Sequence, residues 1–404
     1  MFEAERTVGP APMAPGPTGP LAGVRVVDAT QAVAGPFCTM LLADLGADVV
    51  KVEPPSGDMS RFSGLFTPED TERAYSGNFA SINRNKRSAV LDFKTDFGRS
   101  ALLRLVERAD VFVENSRAGV MDALGLGYEV MRDRNPRLVY AAIRGFGDPR
   151  TGASPYLEWP AFDVVAQAMG GLLAITGSAD GATYLCGACV GDLYPATLTA
   201  FGIAAALLHA SRTGRGQFLD VAMYDGVLAL CETIVHRYSY TGQVAGPNGN
   251  GHPLLTPFDV FPTADGACAV AAPTEKHWTQ LCEAIGRPDL VGDERTRTNR
   301  ARVANAGLVQ GVISGWTSAR TTAEVVGTLG GRVPVGPVQT ADVIVEDPHV
   351  AARGMLVEVP QPDGSRPVLM PAPPIKLLGT PAGVYRRPPR LGEHTAEVLA
   401  EVGL

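Results

Sequence analysis

Val24-Arg25-Val26-Val27-Asp28-Ala29-Thr30-Gln31-Ala32-Val33-Ala34-Gly35-Pro36 is a β-branched, apolar run that gives way to small residues. Val24 to Thr30 reads as a short buried strand. Ala34-Gly35-Pro36 then opens a helix, with proline in the first turn, where its missing N–H costs nothing. The helix continues through Phe37–Leu42 and ends near Gly46, and Asp48 to Glu53 forms a second strand. A strand–helix–strand unit of this length predicts a parallel sheet. A nicotinamide-binding domain would carry G-x-G-x-x-G at the first turn. Gln31-Ala32-Val33-Ala34-Gly35-Pro36 lacks it, so neither a nicotinamide nor a flavin is expected.

The alternation continues outward from this unit. Ala89–Phe93, Asp110–Asn115, Leu138–Arg144 and Gln217–Met223 read as further strands, with a helix at Thr95–Ala109. The expected class is α/β: a large Rossmann-like domain followed by a smaller α+β domain. Residues 1–20, rich in Pro, Gly and Ala, suggest a flexible arm. Residues 21–225 form the large domain, 226–330 the small one, and 331–404 lead back to the first. Asp265-Gly266 marks a hairpin in the small domain. Gly246 to Pro253 has the composition of a loop that closes over a site.

The 404 residues carry a net charge of -7, which argues against nucleic acid as the main partner. No uncharged apolar run reaches the roughly 18 residues a membrane span needs, and no signal peptide is read. A cytoplasmic protein without a membrane partner is expected. Six cysteines make no disulfide framework, and Cys186-x-x-Cys189 has no second pair for zinc. Small buried thiols and no metal are expected.

Gly187-Ala188-Cys189-Val190-Gly191-Asp192-Leu193-Tyr194-Pro195 places one carboxylate between small residues and a long apolar helix. Asp192 is either an ordinary cap or a nucleophile at a helix start. Asp163 opens another helix and has the same two readings. The basic stretch Asn83–Ser88 ends in a strand and offers Arg84 and Arg87 to phosphates, with Arg117 a further candidate. Trp159, Phe162 and Tyr194 suggest an aromatic wall near Asp192.

Segments along nearly the whole chain resemble one family. They include Leu21–Asp28, Ala34-Gly35-Pro36, Leu45–Glu53, Asn85-Lys86-Arg87-Ser88, Val113-Glu114-Asn115, Asn135–Tyr140, Thr213–Gln217 and Gly392-Glu393-His394-Thr395. In this order they resemble the class III coenzyme A transferases of CaiB/BaiF type. That family includes formyl-CoA transferase and α-methylacyl-CoA racemase. The resemblance implies an acyl-CoA substrate and a large domain with its parallel sheet built from both chain ends. It also implies an interlocked homodimer, with the small domain inserted. Asp192 matches the family nucleophile, which moves CoA to a free acid through a mixed anhydride and an aspartyl-CoA thioester. Gly251 and His252, on the glycine loop, and Asp163 would support it. Val33, Ala34, Leu91, Lys94, Asn115, Val120 and Leu124 match CoA-contacting positions. A racemase needs two bases, and the His-Asp pair of racemases is Phe162-Asp163 here, which disfavours that alternative. A silent acyl-CoA binder is the third reading, and a functional carboxylate at Asp192 speaks against it.

Overall fold

The computed structural model describes residues 9–404 except 72, 74, 363 and 365. Two compact units are present: residues up to 172, 186–242 and 346–404 form the first, and residues 173–185 with 243–345 form the second.

The first unit is built on a six-stranded sheet. Its strands are β1 (Arg25–Ala29), β2 (Asp48–Glu53), β3 (Lys86–Val90), β4 (Val111–Glu114), β5 (Val139–Arg144) and β6 (Phe218–Ala222). The order is β3-β2-β1-β4-β5-β6 and every neighbouring pair is parallel. The chain reverses direction across the sheet between β1 and β4. Clefts open at such a switch point, beyond the carboxyl ends of the strands. β4 and β5 are buried throughout, as strands covered on both faces are. On one face Leu102, Leu105 and Val106 of the Asp96–Val106 helix pack with Phe112, Tyr140 and Val398. The other face carries the Ala34–Asp44 helix and the 24-residue Val190–Thr213 helix, which also packs on β5 and β6. By length and composition alone this long helix is apolar enough to cross a membrane, contrary to the expectation that no run would be: Leu193 to Ser211 carries no Asp, Glu, Lys or Arg.

The β1 turn is closely packed. A methyl group on Gly35 would lie 2.3 Å from Thr30 Cβ, so only glycine lets the helix start that near the strand. Beneath it lies a group of buried charges. The Lys86 Nζ donates to Asp28 at 3.0 Å, to the Pro36 carbonyl at 2.8 Å and to Asn83 at 2.8 Å. The Lys51 Nζ donates to the Thr30 carbonyl and lies 2.8 Å from Asp58. Burial pushes the Lys86 ammonium down to about 8 against the pull of Asp28. Burial also raises the Asp28 carboxyl, but Lys86, Lys51 and the Thr30 and Thr39 hydroxyls outweigh it and hold it below its ordinary value.

The structure alters several expectations. All six strands of the large sheet come from the first 222 residues, while residues 346–404 belong to the same unit without adding a strand to that sheet. The later chain adds a two-stranded ribbon, β10 (Leu356–Val359) with β11 (Val368–Pro371), and the Thr395–Glu401 helix. That helix is seated on β3 through hydrogen bonds from the Ser88 and Val90 backbone N–H groups to His394 and Thr395. The first unit extends to residue 242 rather than 225, because the Met223–Leu230 helix packs on the long helix. It resumes at 346, within the returning segment expected from 331. The N-terminal arm is not free over its described part: the Ala11 and Ala14 N–H groups donate to Leu356 and Val384 carbonyls. Residues 1–8 of that arm lie outside the described residues. The strand expected at Ala89–Phe93 begins earlier, at Lys86, which puts part of the basic cluster inside the sheet.

The second unit has an antiparallel sheet of β7 (Phe258–Pro262), β8 (Ala267–Ala271) and β9 (Val335–Pro337). Its core gathers Trp278, Leu281, Val309, Ile313 and Val325. The buried Arg302 guanidinium lies over the Trp278 ring and pairs with Glu275 at 2.7 Å.

Removing one partner of a buried ion pair strands the other charge. Lys86→Ala is expected to lower stability by about 3–5 kcal/mol, read as a reduced urea midpoint. Adding Asp28→Asn, which removes the stranded charge, is expected to recover part of the loss.

Candidate active site

Asp192 lies in the first turn of the long helix, with Cys189 as its N-cap residue. The Cys189 side chain caps no backbone N–H. The cap is supplied from another helix: Asp163 Oδ1 accepts the Gly191 N–H at 2.7 Å. Asp163 opens the Asp163–Met169 helix, and Gln167, one turn later, donates its amide to both Asp163 oxygens at 3.0 and 2.8 Å. The same Gln167 accepts the Cys186 N–H at 3.1 Å. Two side chains on one helix face thus hold both ends of the 186–191 turn. The approach demands glycine, since a Cβ on Gly191 would lie 2.6 Å from the Asp163 carbonyl oxygen.

The Asp192 carboxyl is half-buried and accepts no hydrogen bond among the described residues. Burial first, and then the nearby Asp163 charge, push it up to about 7. A carboxylate without hydrogen-bond partners is poorly solvated, and so a stronger nucleophile than one in water.

Asp192 lines a cavity of about 980 Å³. The cavity extends to the switch point, where Val33 and Ala34 line it with Asn115 and Arg117. The loop there is fixed in place. Asn115 accepts the Gln31 N–H at 2.9 Å and donates to the Gln31 carbonyl at 2.8 Å. Asp58 accepts the Ala32 N–H at 3.1 Å, and Ala32 sits at φ 65, an unusual conformation for a residue with a Cβ. Beside Asp192 the wall is apolar: Phe146, Leu157, Trp159, Phe162, Leu193 and Met223. The Tyr156 ring packs at 4.8 Å from Trp159 and 5.5 Å from Phe146, which braces that wall.

The sequence-derived candidates divide accordingly. Asp192, Val33, Ala34, Asn115 and Arg117 share the cavity. Trp159 and Phe162 also line it, whereas Tyr194 does not and its neighbour Leu193 does. Leu91 is buried in the sheet core and Leu124 packs against that core. Lys94 and Val120 are exposed beyond the ends of β3 and β4, off the cavity. Arg84 reaches the cavity, but its guanidinium is bonded to Asp44 at 3.0 and 2.6 Å. Arg87 is held by Asp48, Glu397 and Glu401. Both arginines are therefore committed to carboxylates, and Arg117 has no ion pair among the described residues. Gly251 and His252 belong to the second unit, where His252 Nδ1 accepts the Leu254 N–H. Gln31 and Gln167 were missed, and Cys189, read as a small buried thiol, lines the cavity. Gln167 was findable, since it stands four residues after Asp163 on one helix.

A half-buried carboxylate and a switch-point loop thus share one cavity. The sequence profile described as CoA-transferase family III matches residues 21–395. The chain belongs to that family. Its relatives include the succinyl-CoA:mesaconate CoA-transferase of Haloarcula hispanica, 48% identical over 96% of this chain and 97% of that protein. The succinate–glutarate CoA-transferase of Agrobacterium fabrum is 37% identical over 95% and 96%. A solved CAIB/BAIF family protein from Brucella suis superposes with a TM-score of 0.83 at 34% identity, covering 95% of this chain and all 100% of that one. The protein is a class III CoA-transferase using an acyl-CoA as substrate.

Gly191→Ala is expected to misplace the Asp192 turn and lower kcat/KM by roughly 10²-fold, measured by steady-state exchange. Asp163→Asn keeps a carbonyl to receive the Gly191 N–H but removes the like charge near Asp192. It is expected to move the acidic limb of the kcat/KM profile to lower pH.

Proposed function

We propose that the chain moves CoA from succinyl-CoA to a branched or unsaturated dicarboxylic acid such as mesaconate, with Asp192 as the covalent nucleophile. One observation carries the mechanism: Asp192 lies in the first turn of a helix and lines, without a hydrogen-bond partner among the described residues, a cavity that reaches the switch-point loop. The substrate choice draws on the relatives that act on succinyl-CoA with mesaconate, and on the apolar wall beside Asp192, which suits a methyl-bearing or unsaturated carbon chain.

In the proposed cycle the carboxylate attacks the thioester carbonyl, forming a mixed anhydride and expelling CoA thiolate. The thiolate then attacks the aspartyl carbonyl of the anhydride. Aspartyl-CoA thioester forms and the donor acid leaves. The acceptor carboxylate runs the two steps in reverse. Capture on the enzyme divides one difficult exchange into easier ones. The nucleotide end of CoA lies along Val33, Ala34 and Asn115, with Arg117 meeting a phosphate. Cytoplasmic location and an interlocked homodimer belong to this proposal as well. Phe162 lines the cavity where a racemase would need a proton acceptor, so α-proton exchange is not part of it.

Succinyl-CoA is expected to leave an adduct of CoA mass on the Asp192 peptide, released by hydroxylamine. In Asp192→Asn the adduct is expected to vanish and kcat to fall on the order of 10⁴-fold, and an unchanged adduct or rate would sink the mechanism.

The carboxyl at about 7 also fixes a pH dependence. The nucleophile must be ionised, so kcat/KM for the acyl-CoA is expected to rise with pH through a pKa near 7. Stability runs the opposite way, because the folded carboxyl sits above its ordinary 3.8. Its contribution is present below 3.8 and is lost as pH rises through about 7. Asp192→Asn is therefore expected to exceed the parent protein in melting temperature at pH 8, with the gap closing toward pH 4.

A further inference from the structure

Four of the six cysteines (Cys38, Cys231, Cys268 and Cys282) are buried. Contrary to the expectation of uniformly buried thiols, Cys186 is half-buried and Cys189 is exposed. Cys189 lines the same cavity as Asp192, three residues ahead of it, at the head of the long helix. The Cys186 backbone on the other side of the turn is tied to Gln167. The turn therefore presents a thiol on the cavity that Asp192 also lines, three residues from that carboxylate in sequence.

We propose that Cys189 is a disulfide-exchange site for the symmetrical disulfide of CoA, a modification that reversibly blocks the enzyme; this rests on the CoA-transferase cycle given above. The Cys189 thiol loses its proton to solvent, and its thiolate attacks one sulfur of the reagent. The S–S bond of the reagent breaks, a Cys189–S–S–CoA bond forms, and one CoA thiolate leaves. No other oxidant is required, since one disulfide is exchanged for another. The bound half of the reagent occupies the CoA groove, and its sulfur is held beside Asp192, so no thioester enters.

Selectivity comes from binding rather than from an intrinsically reactive thiol. Burial, and then the charges of Asp163 and Asp192, hold the Cys189 thiol above its ordinary value. Disulfides that do not bind the cavity are thus attacked slowly. A reagent carrying the nucleotide gains the advantage of reaction within a complex.

The test treats the reduced full-length protein with CoA disulfide at pH 8.5, blocks remaining thiols and maps the peptides by mass. Cys186→Ser is run alongside, so that a second exchange by Cys186 cannot conceal the adduct. The expected result is one CoA on Cys189, removed by dithiothreitol and unaffected by hydroxylamine. Transferase activity is expected to fall with adduct formation and return on reduction. Glutathione disulfide is expected to react at least about tenfold more slowly, and prior addition of CoA to protect. In Cys189→Ser no adduct forms, and whatever activity that variant has is unchanged by the reagent. The proposal is overturned by labelling of another cysteine alone, by equal rates with glutathione disulfide, or by labelling without loss of activity. The hydroxylamine-labile Asp192 adduct, measured with succinyl-CoA in Cys189→Ser, tests the transferase cycle separately.

Discussion

A carboxylate with no exposed surface, Asp28, sits beneath the first turn of the sheet and has to be answered by charge. Lys86 answers it directly, and Lys51 bridges from the Thr30 carbonyl to Asp58. These residues come from three adjacent strands and the following loop, so the pairing locks β1, β2 and β3 at one end. The same Asp58 holds the Ala32 N–H, and with it the loop that forms one side of the cavity. In a low-dielectric interior such an arrangement is strong only when every member is satisfied. The lower wall of the site is accordingly an extension of the sheet's internal electrostatics.

The other wall follows a different logic. Asp192 gains its position from a helix that cannot cap itself, because Cys189 offers no oxygen. Asp163 supplies the cap from a neighbouring helix, at the cost of placing a second negative charge close by. The two roles of Asp163 are inseparable: the contact that orients the Asp192 turn also keeps the Asp192 carboxyl near its point of ionisation.

The parallel sheet was legible in the sequence because β-branched strands and 3.6-period helices alternate over the first 225 residues. The placement of Asp192 at a helix start on the cavity was legible from its small-residue turn. The destination of the charges was not. Arg84 and Arg87 look like a phosphate patch because Asp44, Asp48, Glu397 and Glu401, their actual partners, lie about 40 and 310 residues away in the chain. The unit boundaries were misplaced for a related reason. The Met223–Leu230 helix after β6 continues the packing of the long helix, which no local breaker signals. Gln167 was overlooked although its spacing from Asp163 is the ordinary one-turn spacing of a helix pair.

The seating of residues 383–401 on β3 has a temporal consequence. Arg87 is made long before its carboxylates on Glu397 and Glu401, and Asn85 long before the backbone of residues 383–386 that it bonds. On the ribosome, the edge of the sheet is therefore unfinished until nearly three hundred further residues have been made. Closure over such a separation is slow relative to local helix formation. During synthesis β3 remains an open strand edge, the kind of surface that holding chaperones cover.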